Sequence, residues 1–380
     1  MKDGSVKYNI PFIKPSFPSS EEIADDYKTI VESNWFTNFG PFENRFRTST
    51  AKFIANDVNV CTVANATLGL EIAIKVLFRA EGRKKEVIVP SFTFAAGPEM
   101  LIEENFTPVF IDVQESNWQP SIFEAREYIK KNDTVAGILL CNIFGVGNKE
   151  ITEWENLARD ANVPLIIDSA AGFGSRYDDS ERVGSRGDCE VFSLHATKPF
   201  AVGEGGLVVS KNRLLIEKMR EAENFGFNED KQIGIIGTNA KLQELNCAIG
   251  LRQLQSFEDR LAARQKSLQV YKEELSELSY FFQENDDLST VPFASTIAPN
   301  PEVARRMLKI LSQKGIEARK YYAPLHLQTL LKEKSVLASD FKVTDNIYSR
   351  IISLPLHDSM SSQDIKFITG IIKENSDEKS

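Results

Sequence analysis

The sequence is short of the residues that build metal sites and disulfide frameworks: its 380 residues include four cysteines and three histidines. Cys61, Cys141, Cys189 and Cys247 lie far apart and form no CxxC pair, and no Cys/His group has zinc-ligand spacing, so no metal is expected. The thiols read as free side chains in a reducing compartment. Long apolar runs are missing as well. No stretch approaches the ~20 apolar residues that span a bilayer, and MKDGSVKYNIPFIKPSFPSS lacks the uninterrupted apolar region of a secretory leader. A cytoplasmic protein with no membrane partner is expected. Positive charge is in deficit, since 45 Lys+Arg against 54 Asp+Glu give a formal net charge of -9. That field repels phosphate backbones, so nucleic acid is not an expected partner. An anionic ligand needs a local site, for which helix N-termini and backbone amides are suited.

What is present is a regular alternation. Runs apolar on both faces (58–65, 86–90, 107–113, 135–145, 163–170, 188–196 and 205–210) are separated by helix-like stretches near 67–79, 95–105, 121–131 and 150–161. This pattern predicts an α/β fold with a parallel or mostly parallel sheet covered on both faces, whose ligands bind at the carboxyl ends of the strands. Two further helices are predicted at 21–32 and 44–54, flanking the aromatic loop WFTNFGPF. A long helical segment is predicted from about Lys241 to Leu278. Beyond Tyr280 the character changes: YFFQ, TVPFASTI and GIEARKYY read as strands and 301–314 and 362–374 as helices, a small α+β unit. The predicted division is a large domain over 1–255, with segment 1–40 contributing to its site, and a small C-terminal domain over 256–380.

The sharpest chemical signal lies in DCEVFSLHATKPFAVGEGGLVVS. Lys198 follows a strand end and precedes the cluster Gly203, Gly205 and Gly206. A lysine there is either an ordinary solvated turn residue or an amine held for carbonyl chemistry as a Schiff base. Asp168 ends the apolar run VPLIID, where it either caps the next helix or faces a cationic partner such as the pyridine nitrogen of pyridoxal 5′-phosphate (PLP). Asn65-Ala66-Thr67 stands between a strand and a helix, as an N-cap or as a phosphate cradle. Ser193 adds a hydroxyl five residues before Lys198. Phe94 ends VIVPSFTF and is either a core aromatic or a ring lying over a flat cofactor.

Together with TPVFIDV, DSA, SLHATK, GEGG, GTNAKLQELNCAIGL, YYAPLH and LPLH, in that order, these segments resemble the DegT/DnrJ/EryC1/StrS sugar aminotransferases. The likeness runs from WFTNFGP to SLPLHDSMSSQDI, nearly the whole chain. It implies the fold type I, aspartate aminotransferase-like architecture and PLP as cofactor. It makes Lys198 the Schiff-base lysine, Asp168 the pyridine-nitrogen partner, Phe94 the stacking ring, and Ala66, Thr67 and Ser193 phosphate contacts. Asn239 matches an asparagine that reaches the phosphate of a neighbouring subunit, which implies a homodimer with shared sites. Trp35, Phe36, Thr37, Tyr321, Tyr322 and His326 resemble positions lining the sugar pocket, although the two tyrosines also suit packing between domains.

Two positions depart from the family pattern. Ala171 stands where glutamine or histidine is common, and Asn65-Ala66 replace a serine-glycine pair. The resemblance implies transfer of an amino group from L-glutamate to a nucleotide-linked keto-sugar. The best match is dTDP-4-keto-6-deoxy-D-glucose aminated at C4, for a surface polysaccharide such as O-antigen. Amination at C3 and UDP or GDP substrates stay open. A related branch that dehydrates sugars carries histidine in place of the lysine, so Lys198 argues against that chemistry. A non-catalytic regulatory homologue is the remaining alternative.

Overall fold

The computed structural model describes residues 8–79, 82, 84–178 and 180–376. In chain order its strands are β1 (Asn59–Val63), β2 (Glu86–Pro90), β3 (Thr107–Ile111), β4 (Val135–Cys141), β5 (Leu165–Asp168), β6 (Cys189–Ser193), β7 (Gly206–Ser210), β8 (Phe281–Phe282), β9 (Ala294–Ile297), β10 (Val336–Leu337) and β11 (Ile351–Leu354). Eight of them form one sheet in the order β1-β7-β6-β5-β4-β2-β3-β10. From β6 to β10 every neighbouring pair is parallel, whereas β7 runs antiparallel to both β6 and β1.

Successive side chains of a strand point to opposite faces, and here both faces are covered. Ile88, Ile138, Leu140 and Ile167 pack with Trp154, Phe46 and Ile30 on one side. Val87, Val89, Leu139, Ile166 and Val191 pack with Leu70, Ile72 and Met219 on the other. That double burial is why the strands read as continuous apolar runs. The covering helices start where the sequence offers caps. Ser19 and Glu22 form a reciprocal capping box ahead of Ser20–Ser33, and Asn65 caps Ala66–Leu77.

The second unit is an antiparallel sheet, β11-β9-β8, packed with the helices Phe257–Glu274, Pro301–Gln313 and Ser362–Ser376. Three details differ from the sequence reading. The stretch 241–278 is two helices, Glu244–Gln255 and Phe257–Glu274, broken at Ser256. GIEARKYY forms only isolated bridges, from Ile316 to Ile10 and from Arg319 to Ser353, because its backbone turns aside to wall a cavity. Finally, β10 leaves the C-terminal unit and joins the large sheet beside β3, and the cap of that strand is fixed when the Ala338 N–H donates to the Phe110 carbonyl at 3.0 Å. No helix among the described residues is long and apolar enough to cross a membrane. All four cysteines are free.

Candidate active site

The carboxyl ends of β4, β5 and β6 place three side chains along one edge of the sheet. Cys141 and Asp168 are register partners in adjacent strands, and Asp168 pairs in turn with Val191 of β6. Lys198 follows in the loop between β6 and β7. That loop is closed at its base by the Leu194 N–H donating to the Gly205 carbonyl at 2.8 Å and the Ala196 N–H to the Gly203 carbonyl at 2.8 Å. Gly203 sits at φ +100, which a residue with a Cβ adopts only under strain. A turn in which the Lys198 N–H donates to the His195 carbonyl at 2.8 Å then directs the lysine into a cavity of about 760 Å³.

Asp168 is buried at 6% exposure, and its Oδ1 accepts the Ala170 N–H at 3.0 Å. Burial pushes its carboxyl above the usual range, opposed by that N–H and by the charge of Lys198. Burial pushes the Lys198 ammonium down, opposed by Asp168 and Cys141. Burial thus moves each group toward its neutral form, and both sit in a cleft where such shifts serve proton and nucleophile chemistry.

The helix Ala66–Leu77 begins at the same cavity. Asn65 Oδ1 accepts the Leu68 N–H at 2.9 Å, while Ala66 and Thr67, in the first turn, line the cavity wall. The turn before it is pinned by the Ala64 N–H donating to the Ala240 carbonyl at 2.6 Å. A Cβ on Gly206 would stand 2.9 Å from the Ala66 nitrogen, so glycine lets β7 approach this turn. Phe94 is 60% exposed on the opposite wall, with its centroid 5.8 Å from that of Tyr322. A core aromatic would be buried, and this one is not.

These observations test the fit to PLP. A lysine amine, a buried carboxylate, a helix N-terminus closely backed by glycine and an exposed flat ring meet in one cavity, which is the donor set the cofactor requires. Lys198, Asp168, Phe94, Ala66, Thr67 and Ser193 all line it, as does Ala171. Ala171 contributes no polar group there, and its carbonyl accepts the Thr290 hydroxyl at 2.6 Å.

Of the six residues assigned to sugar, Tyr321 and Tyr322 line the cavity, with rings stacked at 5.0 Å. Trp35, Phe36 and Thr37 stand outside it, and the Trp35 ring N–H donates to the Asn38 carbonyl at 3.2 Å. His326 also stands outside. It is buried, stacked 4.1 Å from Phe341, with Nδ1 2.7 Å from the Ser91 hydroxyl and Nε2 3.3 Å from Asp345. Those partners make it a clamp between the end of β2 and the segment that follows β10. Asn239 is exposed and does not line the cavity of its own chain. The structure adds Cys141, Asn142, Phe144, Phe293 and Arg319 to the lining. The ends of β4 and β9 were readable as strand ends, whereas nothing in the local pattern singled out Arg319.

A doubly covered, mostly parallel sheet with this lysine and aspartate at its strand ends defines a PLP-dependent aminotransferase. The sequence profile of the DegT/DnrJ/EryC1/StrS aminotransferase family matches residues 19–373, and the chain belongs to that family. It is 42% identical over 375 residues to Protein Rv3402c of Mycobacterium tuberculosis (strain ATCC 25618 / H37Rv), covering 98% of this chain and 91% of that protein. GDP-perosamine synthase of Escherichia coli O157:H7 is 28% identical, with 97% of this chain and 99% of the relative covered. The dTDP-4-amino-4,6-dideoxy-D-glucose transaminase of Shigella dysenteriae is also 28% identical, with 95% and 97% covered. Among solved structures, one from Bacillus cereus ATCC 10987, named as a PLP-dependent aminotransferase, superposes with a TM-score of 0.90 at 31% identity, covering 96% of this chain and all of that one.

Proposed function

We propose that the protein moves the amino group of L-glutamate to C4 of dTDP-4-keto-6-deoxy-D-glucose, giving dTDP-4-amino-4,6-dideoxy-D-glucose for a surface polysaccharide. The observation that carries the reading is the Lys198–Asp168 pair, set in a cavity that spans the large unit and the tyrosine segment of the small one. The near full-length likeness to a relative named for that dTDP-sugar supports the acceptor. A GDP-linked 4-keto-sugar is the second reading, supported by equal identity to the GDP-perosamine synthase.

When bound, PLP supplies the electron sink that lets a C–H bond next to nitrogen ionise. The chain's own residues do the rest. Lys198 Nζ would hold the cofactor, and as a free amine, whose pKa burial lowers, it would carry the proton as a base. Asp168 would pair with the ring nitrogen and favour its protonated form. Ala66, Thr67 and Ser193 would hold the phosphate, and Phe94 would cover the ring. Tyr322, whose hydroxyl is pushed up by burial and stays protonated, lines the cavity. Asn239, exposed in its own chain, would reach the phosphate held by a second copy, so that two chains complete each site.

Borohydride reduction followed by peptide mass spectrometry should place the trapped pyridoxyl group on Lys198, and Lys198→Ala should lose both the visible chromophore and transamination, by roughly 10²–10⁴-fold or more. A Lys198→Ala protein that keeps its turnover overturns the reading. Incubation with L-glutamate and a panel of dTDP-, UDP- and GDP-linked keto-sugars, followed by NMR of the amine formed, separates the acceptors and the C3 from the C4 product.

A further inference from the structure

The two tasks proposed for Lys198 anchor it differently. Joined to the cofactor, its Nζ is held at both ends; as a free base it is held through its backbone alone. The grip on that backbone therefore bears on the steps in which the amine is free. On the N-terminal side the grip is local, the Lys198 N–H donating to the His195 carbonyl at 2.8 Å. On the C-terminal side it comes from elsewhere in the chain.

Pro199 has no N–H to pair, but its carbonyl accepts an Arg260 Nη2 hydrogen at 2.7 Å. Two residues on, the Ala201 carbonyl accepts from Gln253 Nε2 at 3.1 Å, and Gln253 Oε1 accepts from Arg260. Gln253 and Arg260 stand on either side of the break at Ser256, so both of the helices that meet there reach this loop. Between the two gripped carbonyls, Phe200 is buried against Phe173, with 4.5 Å between ring centroids.

Arg260 is itself aimed from the segment after β11. Its Nε donates to Asp358 Oδ2 at 2.6 Å, and Asp358 Oδ1 accepts from Arg264 Nη1 at 2.5 Å. Arg264 is buried and fixed in turn by the Val291 and Leu356 carbonyls. Burial raises the Asp358 carboxyl, but the charges of Arg264 and Arg260 outweigh it and hold the group below its usual range. Arg260 and Asp358 both belong to the small unit, so the lysine turn of the large unit is gripped across the boundary between the two.

We propose that Arg260, oriented by Asp358, is a positioning residue for Lys198, keeping Nζ presented to the cavity while the amine is free. Arg260 does not line that cavity and acts through the Pro199 carbonyl. The proposal rests on the aminotransferase reading.

The test compares wild type with Arg260→Gln, Arg260→Lys and Asp358→Asn. Apoenzyme is first mixed with PLP, and the rise of the visible absorption is followed. Arg260→Gln should capture PLP roughly tenfold more slowly, yet still take up one per chain. PLP-loaded enzyme is then given L-glutamate alone, and loss of the aldehyde chromophore is timed. The rate at saturation should fall roughly 10–100-fold, with the half-saturating concentration within about threefold of wild type. The isotope effect with glutamate deuterated at Cα should be at least as large as in wild type, because the slowed step is the proton transfer. Arg260→Lys, which keeps one charged donor, should recover part of both rates. If Arg260→Gln does not fold, Asp358→Asn decides, and it should show the same pattern with a loss of about threefold to tenfold.

Unchanged rates overturn the proposal, as does an isotope effect lowered toward unity, which would place the slow step elsewhere. A raised half-saturating concentration with a lowered unfolding temperature and no recovery in Arg260→Lys would mark a packing role and also overturn it. PLP capture needs no amino donor, so a wild type that captures PLP but ignores L-glutamate loses the donor reading alone, and capture still decides the role of Arg260. A wild type that takes up no PLP overturns the aminotransferase reading and this proposal with it.

Discussion

Behind Asp168 stands a second acid that does not line the cavity. Glu190 is buried on β6, where its Oε2 accepts the Ser169 hydroxyl at 2.6 Å and its Oε1 accepts the backbone N–H groups of Gly184 and Arg186 at 2.7 and 3.0 Å. Ser169 in turn accepts from Asn142 Nδ2 at 2.9 Å, so the network reaches the cavity wall. Burial raises the Glu190 carboxyl from 4.5 to about 7, even against those hydrogen bonds. The unfolded chain therefore releases this proton before the folded protein does. Stability should fall as pH rises from about 4.5 to about 7 and level off above, by as much as about 3 kcal/mol from this group. Urea unfolding across that range should show the slope in wild type and a flatter profile in Glu190→Gln, which keeps an acceptor for the two amides. Equal slopes would assign the pH dependence to other groups.

At the scale of elements, the cavity depends on how closely β7 approaches the first turn of Ala66–Leu77. Gly206→Ala places a methyl 2.9 Å from both the Ala66 nitrogen and the Asn65 carbonyl carbon, so the turn must move. PLP affinity is expected to fall about tenfold, a cost of about 1.4 kcal/mol, with a smaller change in unfolding temperature; fluorescence titration of the apoenzyme with PLP measures it. An affinity within twofold of wild type would mean that the turn yields without disturbing the phosphate cradle.

The strands around this turn were legible because both faces of β2, β4 and β5 are buried, which leaves no polar positions to confuse the pattern. The break at Ser256 was not, since neither glycine nor proline marks it. Phe257 instead swings into an aromatic group with Phe173 and Phe200, at 5.7 and 4.9 Å, a tertiary contact that local spacing does not encode. Lys198, Asp168 and Phe94 were legible as strand-end residues. Arg260 was not, because its meaning comes from Pro199 and Asp358, which lie far from it along the chain.

At the scale of the whole molecule, Asn239, Trp35 and Phe36 are exposed on the single chain. If each site takes Asn239 from its partner, mixing inactive Lys198→Ala with weakened Asn239→Ala chains should restore activity. Random exchange makes half the dimers mixed, each with one intact site, so about a quarter of wild-type activity is expected. No recovery after verified subunit exchange would place both residues in one chain's site.

The return of β10 to the large sheet has a consequence for synthesis. Val336 pairs with Val109, so a strand made early waits for the chain to grow by more than two hundred residues before its outer edge is covered. Until then β3 exposes unpaired N–H and C=O groups, an invitation to intermolecular pairing. A chain cut after Lys334 should keep the helices that cover the large sheet by circular dichroism yet sediment as aggregates, and a soluble monomeric fragment would show that the edge protects itself. The last fifth of the polypeptide thus acts as a built-in guard for its first third, and ribosomal pausing near the end of the message would be the step at which the newborn protein is most exposed.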